Sequence, residues 1–542
     1  MDALKPQGER KSKSGRKKCE PTDIGDLLLD QEPSDNTREF WQSLDDEGRE
    51  VIIAQQGQIF KAVVNHCYQH LILKAGGMAG SVFPEQLDQW NEEIEQNELD
   101  QRAQQAISHL PLDLVAQNRS RLMGLNYTYS QTIPSSFHST NQQHSGRCWI
   151  FAGLNAMRMH LHKELNLGPA FELSPAYLFF YDKLERCNFF LEKMIELRHL
   201  EANSTMIHGL LTYAHAMEDG GTWDFFKNLV LKYGVMPKSN FDECYNTSFS
   251  DGMNTVLRMK LNSYVAEIRR SKKSDQKLRE LKGGIWMSEL YRLIVKFMGT
   301  PPQQFNWEYK DDMEISHTIR NQTPLDFYRL YIQPSFQIEN KIVLAHDPRP
   351  EHPVYQRYSV DHFSNCVGGQ LCSHINVPME VMKSAAIRSL KQKHPMWFTC
   401  DVGKYHNSEA GLLDDQAFNY SRALNTDFTM SKQDQVSYRV STPCHAMLLV
   451  GVHLENNGIE ERSVRWRIEN SWGSHHREHD PGHLMMSDTW FDRYVYQIVV
   501  DRDCLEPETL ERINMYDVIK LDFNDPYGAV AGLCHCQRTV RN

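Results

Sequence analysis

A cysteine at the start of an apolar run is the first residue of this chain whose position suits chemistry. In the stretch NQQHSGRCWIF, residues 141–151, Cys148 follows a polar turn that contains Gly146. The thiolate is the nucleophilic form of cysteine, and unpaired N–H groups and the helix dipole favour it in the first turn of a helix. Cys148 is therefore interpreted either as a reactive thiolate or as one more buried thiol.

The residues after Cys148 predict the helix that would position it. Apolar side chains recur there with the spacing of one buried helical face. These side chains are Ile150, Leu154, Met157, Leu161 and Leu165. The preceding Ser145-Gly146 suits the beginning of a helix, and Cys148 is expected in its first turn.

A thiolate needs a base or a cationic partner, and residues 444–473 can supply one. The stretch CHAMLLVGVHLENNGIEERSVRWRIENSWG predicts two strands joined by a turn at Asn457-Gly458. A hairpin centred on that turn places His445 opposite Asn470 on one face of the ladder. Asn470 would then orient the imidazole of His445 for an ion pair with Cys148. A hydrogen-bonded structural histidine is the alternative interpretation.

Gln142 supplies a further element of the same chemistry. A thiolate that attacks a carbonyl carbon creates an oxyanion, which requires hydrogen-bond donors about 3 Å away. The backbone N–H of Cys148 is one candidate donor, and the side-chain amide of Gln142, carried by the same turn, is a second. Together with His445 and Asn470, these residues predict acyl transfer through a cysteine nucleophile.

Length and composition set the broad class of the protein. The chain has 542 residues, 40% of them hydrophobic and 24% charged, which allows three or four domains or one elaborated domain. A formal net charge of −11 argues against nucleic acid as the main ligand. The N-terminus does not resemble a secretory signal, and the apolar runs are too short to span a bilayer, so no membrane association is expected. The twelve cysteines do not form a small disulfide framework, which favours a reduced, cytoplasmic protein.

The composition changes along the chain and divides it into segments. Residues 1–38 predict a flexible charged tail, whose basic cluster is also compatible with nuclear import or polyanion binding. Residues 39–85 predict an N-terminal extension with an amphipathic helix. A long helical stretch at about 255–300 precedes strands that are expected after residue 395. Helices followed by strands indicate an α+β fold.

Short stretches in a fixed order connect this chain to a known family. They are NQQHSGRCWIF, GGTWDFFKNLVLKYGVMPK, NWEYKDD, TPLDFYRLYI, HDPRP, VGG, FTCDVGK, CHAMLLVGV, WRIENSWG and DPYGAVA. With them the sequence resembles the papain-like cysteine peptidases, and within these the bleomycin hydrolase and aminopeptidase C branch. The resemblance implies a papain-like fold, with a helical half and a β half, over residues 86–531. It also implies a helical insertion at about 235–305.

The resemblance implies a role for each residue of the candidate site. Cys148 would be the nucleophile, His445 the base and acid, Asn470 the orienting residue and Gln142 the oxyanion donor. Supporting and substrate-binding residues would be Trp472, which shields the His–Asn bond from water, Trp149, and the Gly220-Gly221 pair. Gly220-Gly221 is also compatible with a purely structural turn.

The resemblance also implies an activity and an assembly. The expected reaction is the removal of N-terminal residues from peptides and the hydrolysis of small amides through a thioester acyl-enzyme, without a cofactor or a metal. A homohexamer with its active sites facing a central cavity is expected. Alternatives are an endopeptidase-like or self-trimming activity, or a non-catalytic scaffold that keeps the fold.

The C-terminal residues depart from the family pattern. The family chain normally ends near the residue that matches Ala531, and its terminal carboxylate meets the amino group of the substrate. Here residues 532–542, GLCHCQRTVRN, form a C-terminal extension. The extension raises the possibility that the enzyme trims its own tail. Its CHC triplet and the histidine-rich stretch at 474–483 resemble metal-binding sequences, although a solvated loop is expected for the latter.

Overall fold

The structure covers most of the chain from residue 82 onward. This computed structural model describes residues 82, 84–134, 137–201, 204–212, 218–456, 458, 461–474, 480–513, 517–522 and 525–528. The predicted tail at 1–38, nearly all of the predicted extension at 39–85 and the C-terminal extension at 532–542 lie outside these residues. The chain divides into two compact units, Met1–Glu98 and Leu99–Asn542. The second unit contains every residue of the candidate site.

Helices account for most of the ordered structure before residue 300. In chain order they are α1 (Pro84–Gln96), α2 (Glu98–Ile107), α3 (Leu112–Ala116), α4 (Arg119–Met123), α5 (Cys148–Leu165), α6 (Pro175–Glu196), α7 (Thr205–Thr212), α8 (Trp223–Tyr233), α9 (Tyr245–Ser248), α10 (Asp251–Arg270), α11 (Asp275–Leu281) and α12 (Met287–Met298). The predicted long helix is therefore divided, because a non-helical turn separates α10 from α11 and a π-helical segment, Lys282–Trp286, separates α11 from α12. It ends as expected at Gly299, just before two prolines.

Later helices are short and lie between the strands. They are α13 (Pro324–Phe327), followed by a π-helical turn at Tyr328–Ile332, then α14 (Met379–Lys391), α15 (Tyr420–Leu424), α16 (Lys432–Ser437), α17 (Asp488–Tyr494) and α18 (Pro507–Ile513). Short 3₁₀ turns occupy Lys238–Asn240, Ile338–Asn340, Arg502–Cys504 and Pro526–Gly528.

The strands form one large sheet and a separate hairpin. They are β1 (Gln131–Thr132), β2 (Phe305–Lys310), β3 (Ser316–Gln322), β4 (Lys341–Ala345), β5 (Arg357–Val360), β6 (Ser373–Asn376), β7 (Met396–Cys400), β8 (His406–Asn407), β9 (Leu412–Leu413), β10 (His445–Asn456), β11 (Glu461–Glu469), β12 (His483–Ser487), β13 (Val495–Asp501) and β14 (Ile519–Leu521). The large sheet has the order β14-β5-β6-β4-β13-β7-β10-β11-β12-β9-β8, with β1 also paired to β10. Strands β2 and β3 form the separate hairpin. The mixture of a helical half and a sheet is an α+β papain-like fold.

The sheet begins earlier in the chain than the sequence indicated. Strands were expected after residue 395, but β4, β5 and β6 precede it and join the large sheet. These strands have four or five residues each and are almost fully buried. Neither KIVLA of β4 nor SHIN of β6 alternates polar and apolar side chains, and RYSV of β5 does so over only four residues. The proline-rich residues 346–355 connect β4 to β5 and form the expected loop.

Helix α5 lies in the centre of the protein. It begins at Cys148, as the sequence predicted, and every residue from Cys148 to Leu161 is buried. The predicted apolar stripe is therefore only one of its buried faces. Strands β7 and β10 pack on α5, and helices α6 and α8 also contact it. A helix enclosed in this way holds its first turn in a fixed position.

The hairpin of β10 and β11 has a different register from the one predicted. His445 was expected to pair with Asn470, but Leu448 pairs with Glu469 and Asn456 pairs with Glu461. The prediction of a two-residue turn was wrong, because four residues, 457–460, separate the strands. The register also shifts at two irregular positions. The pairing next to the site is displaced by two residues, and an even displacement keeps side chains on the same face.

A close contact between α5 and α8 predicts the effect of a small substitution. A Cβ atom added at Gly153 would lie 2.5 Å from Cζ of Phe226. Gly153→Ala is therefore expected to lower the free energy of unfolding by about 1–3 kcal/mol, because the aromatic ring must move within a packed core. Urea unfolding of the purified protein would measure this change.

Gly252→Ala is the matched control for this prediction. Gly252 also lies in a helix, α10, but an added Cβ there has no other atom within 4 Å. Alanine favours helix formation, so this substitution is expected to leave the stability unchanged or to raise it by up to about 1 kcal/mol. Equal losses of stability in the two variants would contradict the packing argument.

Candidate active site

The first turn of α5 meets the first residues of β10 at the sulfur of Cys148. The backbone N–H of Ala446 donates to Cys148 Sγ over 3.3 Å. Both Cys148 and His445 have 0% exposed surface. The start of the helix and the start of the strand therefore meet at the sulfur, and the thiol of Cys148 and the imidazole of His445 are both shielded from bulk water.

The two nitrogens of His445 have different surroundings. Nε2 lies 3.0 Å from Oδ1 of Asn470, and since a side-chain carbonyl oxygen only accepts, Nε2 carries the hydrogen. Nδ1 is buried and has no hydrogen-bond partner among the residues that the structure describes. The asparagine thus selects the tautomer whose unprotonated Nδ1 is available to accept a proton.

Burial controls the charge of this imidazole. It lowers the pKa of His445 to about 4, although the hydrogen bond to Asn470 acts in the opposite direction. Beside a neutral thiol, the imidazole is therefore neutral at neutral pH. An imidazolium in this position requires an anion beside it, and the thiolate of Cys148 is the group that the site can supply.

Gln142 is fixed by bonds on both sides of its amide. Its Nε2 donates to the backbone oxygen of Ser145 over 2.7 Å, and its Oε1 accepts from Ser471 Oγ over 2.6 Å. The backbone carbonyl of Ser145 can only accept, so it determines which end of the amide is nitrogen, and the Ser471 hydroxyl donates to the other end. An amide nitrogen carries two hydrogens, which leaves the second one for an oxyanion.

Backbone pairing connects Gln142 to the strand that ends at Asn470. The N–H of Gln142 donates to the carbonyl of Ser471 over 2.9 Å, and Asn141 pairs with Trp472 in an isolated antiparallel bridge. The N–H of Ser471 in turn donates to Oδ1 of Asn470 over 2.8 Å. A single network therefore joins the predicted oxyanion donor to the predicted orienting residue.

The two predicted supporting tryptophans occupy different places. The ring of Trp472 lies over that of His445, with their centroids 4.8 Å apart. Trp149 is completely buried, and its backbone oxygen accepts from Nε1 of Trp397 over 3.1 Å. Trp472 thus covers the imidazole, whereas Trp149 anchors the first turn of α5 within the core.

The Gly220-Gly221 pair lies against the same turn. A Cβ atom at Gly221 would come within 2.4 Å of the indole ring of Trp149, so a larger residue cannot occupy this position without displacing that ring. The carbonyl of Gly220 accepts a short hydrogen bond from Arg186. The close approach to Trp149 is a sufficient structural reason for glycine at 221, and contact with a substrate stays a prediction.

Buried ion pairs hold α5 against other parts of the fold. Arg158 of α5 lies 2.9 Å from Glu469, the residue before Asn470, and both side chains are almost fully buried. Arg147, directly before Cys148, lies 2.8 Å from Glu243 of the helical insertion. Such pairs are costly to break, because one partner would remain as an uncompensated buried charge.

These supporting contacts were not found in the sequence. Ser471 adjoins Asn470, and Arg147 adjoins Cys148, so proximity to a predicted site residue was a usable signal for both. Glu469 likewise adjoins Asn470, but Glu243 is next to none of the predicted site residues, and the pairing of either glutamate with an arginine 96 or 311 residues away gave no local signal.

The described residues also bear on two other features, metal binding and membrane-spanning helices. Within the described ranges, no cluster of three or more His, Cys, Asp or Glu side chains has the arrangement of a metal site. Residues 475–479 of the histidine-rich stretch, and the CHC triplet at 534–536, lie outside those ranges. The helices that the structure describes include none with the length and hydrophobicity to cross a bilayer.

Comparisons with known proteins agree with this arrangement. The model of the Peptidase C1-like family matches residues 81–528. The chain is 36% identical to bleomycin hydrolase of Homo sapiens over 419 residues, which cover 76% of this chain and 90% of that protein. It is 35% identical to aminopeptidase C of Lactobacillus delbrueckii subsp. lactis over 428 residues, or 77% and 91% of the two chains. The crystal structure of PepW from Lactobacillus rhamnosis superposes with a TM-score of 0.79 at 32% identity, covering 84% of this chain and 100% of that one.

Proposed function

This chain belongs to the Peptidase C1-like family, in the branch of bleomycin hydrolase and aminopeptidase C, and we propose that Cys148 is its nucleophile. The enzyme is a cysteine peptidase of the bleomycin hydrolase type, and its relatives do not favour a non-catalytic scaffold. One observation carries the proposed role of Cys148. The backbone N–H of Ala446 meets its sulfur, and the preceding residue, His445, is a buried imidazole whose Nε2 is bound to Asn470 and whose Nδ1 has no partner within the described structure.

The reaction begins with proton transfer from Cys148 to Nδ1 of His445. The resulting thiolate attacks the carbonyl carbon of the scissile amide, and the carbonyl oxygen becomes an oxyanion. The backbone N–H of Cys148 and the second hydrogen of Gln142 Nε2 stabilise that oxygen. His445 then protonates the departing amine, which leaves a thioester between the acyl group and Cys148. Water, activated by the same imidazole, hydrolyses the thioester and restores the thiol.

Asn470 and Trp472 act on the histidine. Asn470 keeps the hydrogen on Nε2 through each proton transfer, so that Nδ1 remains the nitrogen that accepts and returns the proton of Cys148. Trp472 covers the ring and excludes water from the His445–Asn470 bond. Gly220-Gly221 would present backbone groups to an extended substrate, since neither residue has a side chain that blocks its approach.

We propose that the substrates are peptides and small amides with a free amino group. The names of the relatives, bleomycin hydrolase and aminopeptidase C, support an aminopeptidase. An endopeptidase-like activity, the alternative that the C-terminal extension suggests, would not require the free amino group.

The charge state of the site predicts the pH dependence of alkylation. Iodoacetamide is expected to modify Cys148 well below pH 7, because the imidazolium of His445 stabilises the thiolate. Without a partner, the thiol titrates at about 8.5, and His445→Gln is therefore expected to slow modification at about pH 6 by roughly two orders of magnitude. Peptide mass spectrometry across a pH series would give both rates.

His453→Gln is the control for this pH series. His453 lies further along β10 and does not touch the site, so its replacement is expected to leave the profile unchanged. A wild-type rate that falls with the pKa of an ordinary thiol would contradict the ion pair of Cys148 and His445.

Substrate preference is tested with a pair of fluorogenic amino-acid amides, one with a free amino group and one N-acetylated. The free amine is expected to be hydrolysed at least about tenfold faster, a difference of roughly 1.4 kcal/mol in transition-state binding. Cys148→Ser and Cys148→Ala are expected to abolish both reactions. Faster hydrolysis of the blocked substrate would favour the endopeptidase alternative.

We further propose that the enzyme assembles as a homohexamer. The support is its membership of this branch, whose resemblance implies active sites that face a central cavity. Sedimentation of the purified full chain is expected to give about six times the mass of one chain, and a monomeric mass would contradict the proposal.

A cytoplasmic location is proposed as well. Within the described ranges lie eight cysteines, and none of these eight is in a disulfide, as expected in a reducing compartment. Fractionation of cells is expected to recover the full-length protein with cytosolic markers, and recovery in a secreted fraction would contradict this.

A further inference from the structure

A buried carboxylate lies between the turn that leads to Cys148 and the Gly220-Gly221 pair. Asp219 is 7% exposed and receives hydrogen bonds on both of its oxygens. Oδ2 accepts from the backbone N–H of Gly146 over 3.2 Å and from the hydroxyl of Ser250 in a short bond. Oδ1 accepts from Lys183 Nζ over 2.9 Å and from Asn254 Nδ2 over 2.8 Å. The side chain of Asp219 thereby joins the turn before Cys148, helix α6 and the start of helix α10.

Hydrogen bonds also hold the backbone of Glu218 and Asp219, and one of them comes from Trp149, the residue after Cys148. The carbonyl of Asp219 accepts from Nε1 of Trp149 over 2.7 Å. Lys183 also donates to the carbonyl of Glu218 over 3.1 Å. Asp219 therefore contacts Gly146 through its carboxylate and Trp149 through its carbonyl, and these two residues flank Cys148 in the chain.

The carboxylate is ionised despite its burial. Burial raises the pKa of Asp219, but the ammonium of Lys183 and the hydrogen bonds from Ser250, Lys183 and Asn254 outweigh it and hold the pKa below its ordinary value. A charged acceptor makes stronger hydrogen bonds than a neutral one, so the Gly146 N–H is held firmly.

We propose that Asp219 is a positioning residue that holds the turn from Gln142 to Cys148 in register with the Gly220-Gly221 pair. The inference rests on the proposed role of Cys148 as nucleophile. Gly146 lies between the two oxyanion donors in the chain, and a displacement of the turn moves both donors away from the developing charge. A displacement of about 1 Å costs on the order of a hundredfold in rate. The helical insertion takes part, because Ser250 and Asn254 belong to it.

Asp219→Asn tests this role with nearly unchanged volume. The carboxamide accepts through its oxygen only, so its NH₂ group faces hydrogen-bond donors on one side and cannot hold them. We expect kcat for a free-amine amino-acid amide to fall by about 10- to 100-fold. We expect alkylation of Cys148 by iodoacetamide to keep its rate within about threefold, since alkylation needs the thiolate but creates no oxyanion.

A purely structural role would give a different result. In that case Asp219→Asn would lower the unfolding temperature and the fraction of alkylatable thiol, while kcat per alkylatable thiol would equal that of the wild type. Unchanged kcat per alkylatable thiol would overturn the proposal. A parallel loss of kcat and of the alkylation rate would also overturn it.

Asp501→Asn is the matched control. Asp501 is a similarly buried carboxylate, 2.7 Å from Lys341, at the end of β13. Its substitution is expected to lower stability but to leave kcat per alkylatable thiol unchanged. An equal loss of kcat in both variants would show that any broken buried ion pair has this effect, and it would overturn the assignment to Asp219.

Two further variants keep the test decisive. Ser250→Ala removes one donor from Asp219 and keeps the charge of the carboxylate, so it replaces Asp219→Asn if that variant does not fold. A severalfold loss of kcat supports the proposal, and an unchanged kcat overturns it.

Cys148→Ala separates the proposed function from the proposed role of Asp219. Activity in that variant would end the proposed function, whereas an inactive Cys148→Ala together with a fully active Asp219→Asn would end only the role of Asp219.

Discussion

The contact between the start of α5 and the start of β10 is the constraint on which the rest of the structure depends. A thiol, an imidazole and a carboxamide must face one another although they come from two distant parts of the chain. The N–H of Ala446 reaches the sulfur of Cys148, and the imidazole next to it is tied to Asn470. Neither α5 nor β10 can shift without separating these groups, and the parts of both that adjoin the site, Cys148–Leu161 and the first eight residues of β10, are buried in the core.

Burying polar groups of this kind is unfavourable unless each has a partner. The fold meets this requirement with hydrogen bonds and ion pairs placed around the site. Arg158 with Glu469 and Arg147 with Glu243 each join α5 or its approach to a different element. Such pairs contribute little net stability compared with apolar packing, but breaking one is costly, and this favours a single arrangement of the surrounding elements. The imidazole Nδ1 of His445 is one of the buried polar atoms around the site that lack a hydrogen-bond partner among the described residues, and the proposed chemistry uses it as the proton acceptor.

The helical insertion is part of the site and not only an addition to it. Glu243 holds Arg147, and Ser250 and Asn254 hold Asp219. The insertion is thereby connected to the residues directly before Cys148, through Arg147 and through the bond of Asp219 to Gly146. A peptidase built in this way couples the integrity of its insertion to the geometry of its oxyanion donors.

The sequence by itself determined the elements whose signals are local. The beginning of α5 at Cys148 follows from a polar turn and helical spacing, and the strands of the β10–β11 hairpin follow from apolar runs on either side of a turn. The four side chains that the structure brings together were named from residue type and from the family resemblance. Short buried strands such as β4 and β6 could not be recognised, because a strand that is buried on both faces has no alternating pattern.

Only the tertiary structure decided the features that depend on distant residues. The register of the hairpin was displaced by two residues, because the length of its turn and its irregular positions are set by the neighbouring strands and not by the Asn-Gly pair alone. The partners of Arg158 and Asp219 are fixed by packing, since hydrogen bonds and ion pairs are short-ranged and act only when folding has brought the groups within about 3 Å. The chemistry of the site is thus specified by a few local patterns, and its precision is supplied by the core that surrounds them.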